Sequence, residues 1–264
     1  MTLIWRPGYT WSGDIWNPNM VLNTSLWLDA SDSSTITESS GLVSEWRDKS
    51  ENSRVAIAST TARPTYNTTS FNGNPGISFD GVSNFLTCDS LGAIADGKDS
   101  PWSAVMAVNC ATNQLSMLVT FGSNLTFTGH YVQVNPNGYL RTYRRSPGDA
   151  NSYTLEGNTP VWGGNQIISL VFTGTFFTMT VNGSLYASGS LNSNDIDIDK
   201  FTIGAWRRPE AIGFGKFVTS EIIVTRGVLL DGDRQKLEGY LAHKLGLTEN
   251  LPSNHPYKIL IPLP

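Results

Sequence analysis

The sequence has few charged residues and no long apolar run, and each absence excludes a class of protein. Only 15% of its 264 residues are charged, the formal net charge is −4, and the sequence pI is near 5.3. Adjacent basic residues occur only as Arg144-Arg145 and Arg207-Arg208, so we expect no nucleic acid partner, which would require clustered positive charge. Apolar runs such as Ile167–Phe172 are far shorter than the ~20 residues that span a bilayer, so we expect no membrane partner.

Cysteine is scarce, and the first residues contain no apolar stretch. Cys88 and Cys110 are too few for a disulfide scaffold, so we expect two buried free thiols rather than a bridge. Met1–Ile4 is followed, after Trp5, by Arg6-Pro7-Gly8, which leaves no core for a secretory signal. We therefore expect the protein to be made in a cytoplasm.

Glycine, serine, threonine and asparagine are abundant instead, which is typical of short strands joined by tight turns. Asn137-Gly138 and Asn182-Gly183 each separate two alternating runs, the strongest local signal for a hairpin. About a dozen such runs predict an all-β fold, a two-sheet antiparallel sandwich in one domain, 21–258. The predicted strands are Ser25–Asp29, Gly76–Asp80, Asn84–Cys88, Ser103–Asn109, Leu115–Phe121, His130–Val134, Tyr139–Arg144, Ile167–Phe172, Phe176–Val181, Leu185–Ala187, Phe201–Ile203 and Glu221–Thr225.

One segment has helical periodicity. Asp231–Leu245 places apolar residues at i, i+3, i+4 and i+8, with Asp231 as a plausible N-cap and Gly246 as a left-handed stop. Such a helix most simply packs across a sheet edge or an end of the sandwich. His243, in its last turn, is interpreted as structural. The predicted apolar stripe consists of Leu237, Tyr240, Leu241 and Leu245.

The first twenty residues have neither helical nor strand periodicity. This aromatic N-terminal arm, 1–20, contains Trp5, Arg6, Trp11 and Trp16. Large aromatic side chains have to be buried against something. Two alternatives are equally favoured: the arm folds back on its own domain, or it docks on another subunit. The last residues, 259–264, form an apolar tail that is a second docking candidate.

Three segments resemble the concanavalin A-like lectin/glucanase superfamily, most closely the laminin-G-like jelly-roll modules of bacteriophage virion and bacterial surface proteins. The C-terminal stretch is the more specific part. The resemblance covers about 22–258 and implies a jelly-roll sandwich with binding or virion-surface roles, while 110–215 matches only in strand pattern. The three segments are 26–32, 43–48 and 72–81. The C-terminal stretch comprises 221–224, 233–244, 251–252 and 255–258.

No catalytic motif accompanies the resemblance. The Glu-x-Asp-x-x-Glu strand of the superfamily's glucanases does not occur. The histidines His130, His243 and His255 lack the spacing of a zinc site. We therefore expect a protein that is not an enzyme.

An acidic alternation, Asp195, Asp197 and Asp199, places three carboxylates on one side of the chain. Calcium would relieve their repulsion with hard oxygen ligands. The favoured alternative is a solvated strand edge, because side chains two apart on a strand do not converge. We expect no cofactor, with Ca²⁺ as the open alternative.

Two stretches combine aromatic and basic residues as a saccharide site requires. Arginine binds the carboxylates of anionic sugars in a bidentate manner, and aromatic rings provide an apolar platform. The alternative is that each arginine caps a neighbouring carboxylate or lies on its own aromatic ring. The candidate glycan contacts are Tyr143, Arg144, Arg145, Trp162, Trp206, Arg207 and Arg208.

These observations favour a non-enzymatic bacteriophage virion surface protein, either a capsid decoration or a tail component. It would dock through its N-terminal arm on other virion subunits or on copies of itself, and it would bind host or environmental polysaccharide. The alternative is a carbohydrate-binding module of a bacterial surface protein. A glycoside hydrolase with an atypical carboxylate pair is the third and least favoured hypothesis.

Overall fold

The computed structural model describes residues 16–97, 99–123, 128–146, 153–191, 195–207 and 210–264, with the Arg207 side chain not described. These residues form antiparallel strands and one C-terminal α-helix, which confirms the predicted fold class. The elements are Thr24–Asp29 (β1), Ile36–Ser39 (β2), Leu42–Arg47 (β3), Val55–Ile57 (β4), Thr65–Phe71 (β5), Asn74–Asp80 (β6), Leu86–Thr87 (β7), Trp102–Cys110 (β8), Ser116–Gly122 (β9), Gly129–Val134 (β10), Tyr139–Arg145 (β11), Tyr153–Pro160 (β12), Asn165–Phe172 (β13), Phe176–Val181 (β14), Ser184–Ser190 (β15), Lys200–Ile203 (β16), Trp206–Arg207 (β17), Ala211–Ile212 (β18), Lys216–Arg226 (β19) and Asp231–Leu245 (α1).

Strand pairing builds two layers. The first layer runs β15-β14-β13-β8-β19-β1, and the second runs β12-β11-β10-β9-β16-β7-β4-β3-β2. Strands β5 and β6 connect them, because β6 pairs with β19 and β5 meets β3. Met106 and Leu170 of the first layer share one core with Phe121, Leu140 and Phe201 of the second. The fold is therefore a two-layer β-sandwich of the jelly-roll type.

Strand β8 explains where the helix lies. Met106 faces the second layer, whereas Val105 and Ala107 face the other way and are also fully buried. A strand that is covered on both faces has a continuous run of apolar residues in its sequence. Helix α1 supplies the outer cover, and its apolar stripe of Leu237, Tyr240, Leu241 and Leu245 is buried as predicted.

Two details of the helix prediction were wrong. The helix packs on the outer face of the first layer, not across an edge or an end, because the central strands expose a second apolar face. Leu230 occupies the N-cap position, and the Asp231 carboxylate binds Arg234 at 3.1 Å rather than a backbone N–H. Gly246 ends the helix at φ 69°, as predicted. His243 Nε2 lies 2.9 Å from the carbonyl oxygen of Tyr257, a structural contact.

Two buried clusters of charge fasten the helix to the sheet. Lys244 Nζ lies 2.7 Å from Asp29 Oδ1 and 2.5 Å from Glu221 Oε2, and Lys49 Nζ reaches Asp29 Oδ2 at 2.9 Å. The second cluster surrounds Glu238. Its carboxylate accepts hydrogen bonds from four side chains at 2.7–3.2 Å: Ser169, Thr180, Arg234 and His255.

Trp16 belongs to this domain. Its side chain is buried, and its ring centroid lies 5.9 Å from that of Tyr240 on the helix. Of the two alternatives for the arm, Trp16 follows the first: it folds back and completes the core beneath the helix, so it is not available to dock on another subunit. Trp5, Arg6 and Trp11 lie outside the described residues.

Cys88 and Cys110 are buried and free, which confirms the predicted thiols. Burial raises the pKa of Cys110 to about 12. Within the described part of the chain, no helix is both long and apolar enough to cross a membrane.

One side chain joins the two layers where both end in edge strands. The Tyr186 hydroxyl, carried by β15 of the first layer, donates to the carbonyl oxygen of Thr159 at 2.7 Å and accepts from the Leu140 N–H at 3.1 Å. Both partners belong to the second layer. Gly157 in β12 leaves room for the ring, because a Cβ there would come within 2.0 Å of Tyr186 Cε1.

Candidate functional site

Strand β11 divides the predicted basic stretch between two faces. Tyr139, Arg141, Tyr143 and Arg145 are partly exposed, whereas the residues between them are buried. Successive strand residues point to opposite faces, so the partly exposed set lies on the outer face of the second layer. We call this surface, together with Tyr131 and Gln133 of β10, Glu156 of β12 and Trp206, the aromatic face.

Three aromatic rings form the centre of the aromatic face. Tyr131 and Tyr143 stand opposite each other on β10 and β11 and stack with centroids 4.7 Å apart at 20°. Trp206 meets Tyr143 edge-on at 6.4 Å. Tyr131 is fully buried, while Tyr143 and Trp206 are partly exposed residues. The result is a supported aromatic platform.

The position of Trp206 is fixed from two sides. Its Nε1 donates to Gln133 Oε1 at 3.2 Å. Gly213 lies against the ring at φ +60°, and a Cβ there would lie 2.7 Å from Trp206 Cδ2. The hairpin of β17 and β18 thus needs glycine at this position, and the indole ring is preorganised.

Arg141 places a cation beside the platform. Its guanidinium carbon lies 5.8 Å from the centroid of the Tyr143 ring, and its Nε is 3.7 Å from Glu156 Oε2. That distance is too long for a hydrogen bond, and Arg141 Nε has no hydrogen-bond partner among the described residues. Glu156 is held instead by Asn135 Nδ2 at 2.8 Å. Arg145, opposite Gly129, adds a second guanidinium at the far end of β11.

Arg144 has to be removed from the candidate glycan contacts. It points into the sandwich, is fully buried, and donates from Nε to His130 Nε2 at 3.0 Å. Burial and the charge of Arg144 hold the pKa of His130 well below its usual range, so the imidazole is a neutral acceptor. The predicted pair was split because adjacent strand residues face opposite ways.

The remaining candidates lie elsewhere or outside the described residues. Trp162 is partly exposed and packs against the turn at Gly138, before the first residue of β11 and away from Arg145. Arg207 is described only in its backbone, and Arg208 is not described.

The acidic alternation is solvated. Asp195, Asp197 and Asp199 are exposed, while Ile196 and Ile198 between them are buried. No group of three or more His, Cys, Asp or Glu side chains in the described ranges is arranged to hold a metal ion. The described side chains thus do not fit a calcium site here. The three carboxylates are exposed, as the alternative expected, but they lie before β16 and not on a strand edge.

The predictions omitted Tyr131, Gln133 and Glu156. The Asn137-Gly138 turn carried the signal for the first two, because antiparallel pairing about it places Tyr131 opposite Tyr143 and Gln133 opposite Arg141. Glu156 had no such signal, since its strand was not predicted.

Comparison with known proteins shows the fold. No protein-family model and no curated protein matches this chain. The botulinum neurotoxin serotype G binding domain superposes with a TM-score of 0.61 at 13% identity, covering 82% of this chain and 50% of its own. The binding domain of Paraclostridial Mosquitocidal Protein 1 superposes with a TM-score of 0.61 at 12% identity, and the match covers 84% of this chain and 53% of that one.

A Trypanosoma rangeli sialidase in complex with 2,3-difluorosialic acid gives a TM-score of 0.54 at 14% identity, covering 81% of this chain and 32% of that one. The chain therefore spans about half or less of the length of these proteins. Fold and face together define the class as a jelly-roll β-sandwich with an aromatic, arginine-bearing outer surface.

Proposed function

We propose that the protein is a lectin-like binding module whose aromatic face holds an anionic saccharide. The observation that carries the proposal is the platform of Tyr143 and Trp206 with Arg141 beside it. A sugar ring presents C–H groups that pack on an aromatic ring and hydroxyls that need polar partners. A guanidinium adds bidentate binding of a carboxylate.

Electrostatics supports an anionic ligand. Arg141 and Arg145 lie on the same face of β11. The Glu156 carboxylate lies 3.7 Å from Arg141 Nε and therefore offsets the positive charge of Arg141 only in part. Two of the structures with a similar fold are described as a toxin's binding domain and as a sialidase holding a sialic acid derivative. They support a lectin-like binding role for this sandwich, and the sialidase is the one of the two that is described with a saccharide.

The proposal is tested by titrating 3′-sialyllactose and lactose, with binding followed by isothermal calorimetry. Trp206→Ala and Tyr143→Ala are expected to weaken sialyllactose binding by about tenfold or more, roughly 1.4 kcal/mol, because each removes part of the platform. Trp162→Ala, which removes a partly exposed tryptophan away from Arg145, is the matched control. Equal loss in all three variants, or no binding by the wild type, would contradict the proposal.

Charge selectivity is tested separately. Arg141→Gln is expected to weaken sialyllactose binding about tenfold while lactose binding changes little, because only the anionic sugar gains from the guanidinium. Arg47→Gln is the control, since Arg47 is an exposed strand arginine paired with Glu45 at 2.6 Å. If Arg141→Gln weakens both sugars alike, the arginine acts on the fold and not on the carboxylate.

Binding without catalysis is part of the same proposal. Burial raises the pKa of Glu221 to about 7, against the opposing charge of Lys244, a value that would suit a catalytic acid. However, Glu221 is fully buried, its Oε1 accepts from Trp27 Nε1 at 2.6 Å, and its Oε2 is held by Lys244. It stabilises the helix–sheet contact instead. Release of reducing sugar from β-glucan or capsule preparations would support the hydrolase alternative.

We further propose that the protein attaches to a bacteriophage particle. The exposed apolar tail, 259–264, supports this proposal as a docking segment. Ile259, Leu260 and Leu263 are 85%, 70% and 63% exposed. Deleting residues 259–264 is expected to leave thermal unfolding nearly unchanged and to abolish incorporation into particles, as measured by mass spectrometry of purified virions. Normal incorporation of the deletion variant would exclude the tail as the docking segment.

A further inference from the structure

A second depression in the molecule is lined by side-chain amides. It has a volume of about 410 Å³ and lies where the β5–β6 turn, the start of β13, the β14–β15 turn and the end of the helix meet. This size falls within the range of small-molecule sites. Its amide-bearing lining residues are Asn72, Asn165, Gln166, Asn182 and Asn250. We call it the amide pocket.

Each amide is held by the protein at one end at least. Asn72 Nδ2 donates to the carbonyl oxygen of Leu245 at 2.7 Å, and Asn250 Nδ2 donates to that of Asn165 at 2.9 Å. Asn165 Oδ1 accepts from Asn109 Nδ2 at 2.9 Å. These bonds fix the orientation of the side chains before any ligand arrives, which reduces the entropy lost on binding.

Four of these amides keep one end unused, whereas Asn182 is bound at both ends, because its Oδ1 accepts from the Ile167 N–H at 2.8 Å and its Nδ2 donates to Gln166. Asn72 Oδ1 and Asn250 Oδ1 remain as acceptors, and Asn165 Nδ2 and Gln166 Nε2 remain as donors, with no hydrogen-bond partner in the part of the chain that the structure describes. Gln166 is also oriented, because its Oε1 accepts from Asn182 Nδ2. The pocket thus offers donors and acceptors in similar number.

Its lining excludes other ligand classes. No charged side chain lines the pocket among the described residues, and Leu247 is its apolar contribution. A charged ligand would find no opposite charge, and an apolar ligand would leave the amides without partners. A neutral polyhydroxyl compound matches, because each hydroxyl both donates and accepts.

We propose that the amide pocket is a second binding site, one that takes a neutral saccharide of one or two rings. The inference rests on the proposed lectin-like function but uses none of the residues of the aromatic face. The two sites would together recognise a glycan with charged and neutral parts, or two separate glycans.

The test uses neutral sugars, lactose and N-acetylglucosamine, titrated into the full chain and followed by saturation-transfer NMR. Gly164→Leu is expected to abolish the signal by filling the pocket. A Cβ at Gly164 meets only Gln166 Nε2, at 3.5 Å, so the substitution does not strain the fold. Gln166→Glu keeps the acceptor for Asn182, replaces the free donor by a charge, and is expected to weaken binding at least about tenfold. Gly232→Ala is the control, because nothing lies within 4 Å of a Cβ there.

Tyr143→Ala separates this inference from the proposed function. Neutral-sugar binding that survives Tyr143→Ala and is lost in Gly164→Leu supports the amide pocket. Loss in Tyr143→Ala with retention in Gly164→Leu overturns it, because the neutral sugar then sits on the aromatic face. No neutral-sugar signal, or a signal only with a neutral peptide such as N-acetyl-trialanine amide, also overturns it. Sialyllactose titration reports on the aromatic face independently.

Discussion

Asp29 is a buried carboxylate between two lysines. Burial alone would raise its pKa, but the charges and hydrogen bonds of Lys244 and Lys49 outweigh burial and lower the pKa to about 2. A carboxyl whose folded pKa is depressed stabilises the fold above the unfolded value near 4, and this stabilisation is lost as the pH falls toward 2.

We therefore expect the wild type to be more stable than Asp29→Asn at pH 5. The difference between their free energies of unfolding is expected to be about 2 kcal/mol larger at pH 5 than at pH 2. Chemical denaturation of both proteins at each pH measures the difference. Glu221 acts in the opposite direction, since its raised pKa favours the protonated fold as the pH falls below about 7, but both proteins retain it. A difference independent of pH would show that the Asp29 charge is not what stabilises the contact.

Individual site residues were predictable in part. Tyr143 and Trp206 were found because aromatic residues beside arginines stand out in a sequence with few charges. The exclusion of Arg144 was also predictable. Strand alternation places its side chain on the same face as buried Leu140 and on the other face from Tyr143. The amide pocket was not predictable, since its asparagines come from four distant segments that only the folded chain brings together.

At the scale of elements, one of the two charge clusters that hold the helix is centred on a single buried carboxylate. Glu238 is fully buried and satisfies donors from β13, β14, the helix and the C-terminal segment. Glu238→Ala is expected to lower the free energy of unfolding by about 3–5 kcal/mol, because it leaves Arg234 without its buried partner. Guanidinium unfolding provides the measurement.

Glu249→Ala is the matched control for that experiment. The Glu249 side chain is 94% exposed and lies 3.9 Å from Lys258, so its removal is expected to change the free energy of unfolding by no more than about 0.5 kcal/mol. Comparable losses in both variants would mean that the Glu238 cluster is not the anchor of the helix.

Strands with an apolar face were predicted, and polar strands were missed. The predicted Phe176–Val181 agrees with β14 at both ends. β5 and β12 are mostly exposed and rich in Thr, Ser and Asn, so their sequences look like turns. Each is defined by pairing with a neighbour, β5 with β6 and β12 with β11, and a single sequence does not show pairing.

At the scale of the whole molecule, the two layers followed from the number of strands and the hairpin turns, but the position of the helix did not. The stripe on Asp231–Leu245 shows that one face is buried without showing against what. The surface that the helix covers is indicated by β8, where Val105 and Ala107 alternate with Met106 and are equally apolar. A strand with two apolar faces in an antiparallel sandwich requires a third layer.

The Tyr186 contact between layers also acts on the molecule as a whole. For Tyr186→Ala we expect the sedimentation coefficient to rise with protein concentration, because the substitution frees the Leu140 N–H and the carbonyl oxygen of Thr159 for pairing with another strand. Tyr153→Ala, which removes a half-exposed tyrosine from β12, is the control. Unchanged sedimentation of Tyr186→Ala would show that other features protect this side.

A protein displayed in many copies on one particle holds its neighbours at very high local density, where unprotected strands would join into fibres. If this protein is displayed in that way, as proposed, an approaching copy meets on this side the Tyr186 ring, whose hydroxyl is already hydrogen-bonded to the second layer, and we expect dense display to remain free of polymerisation.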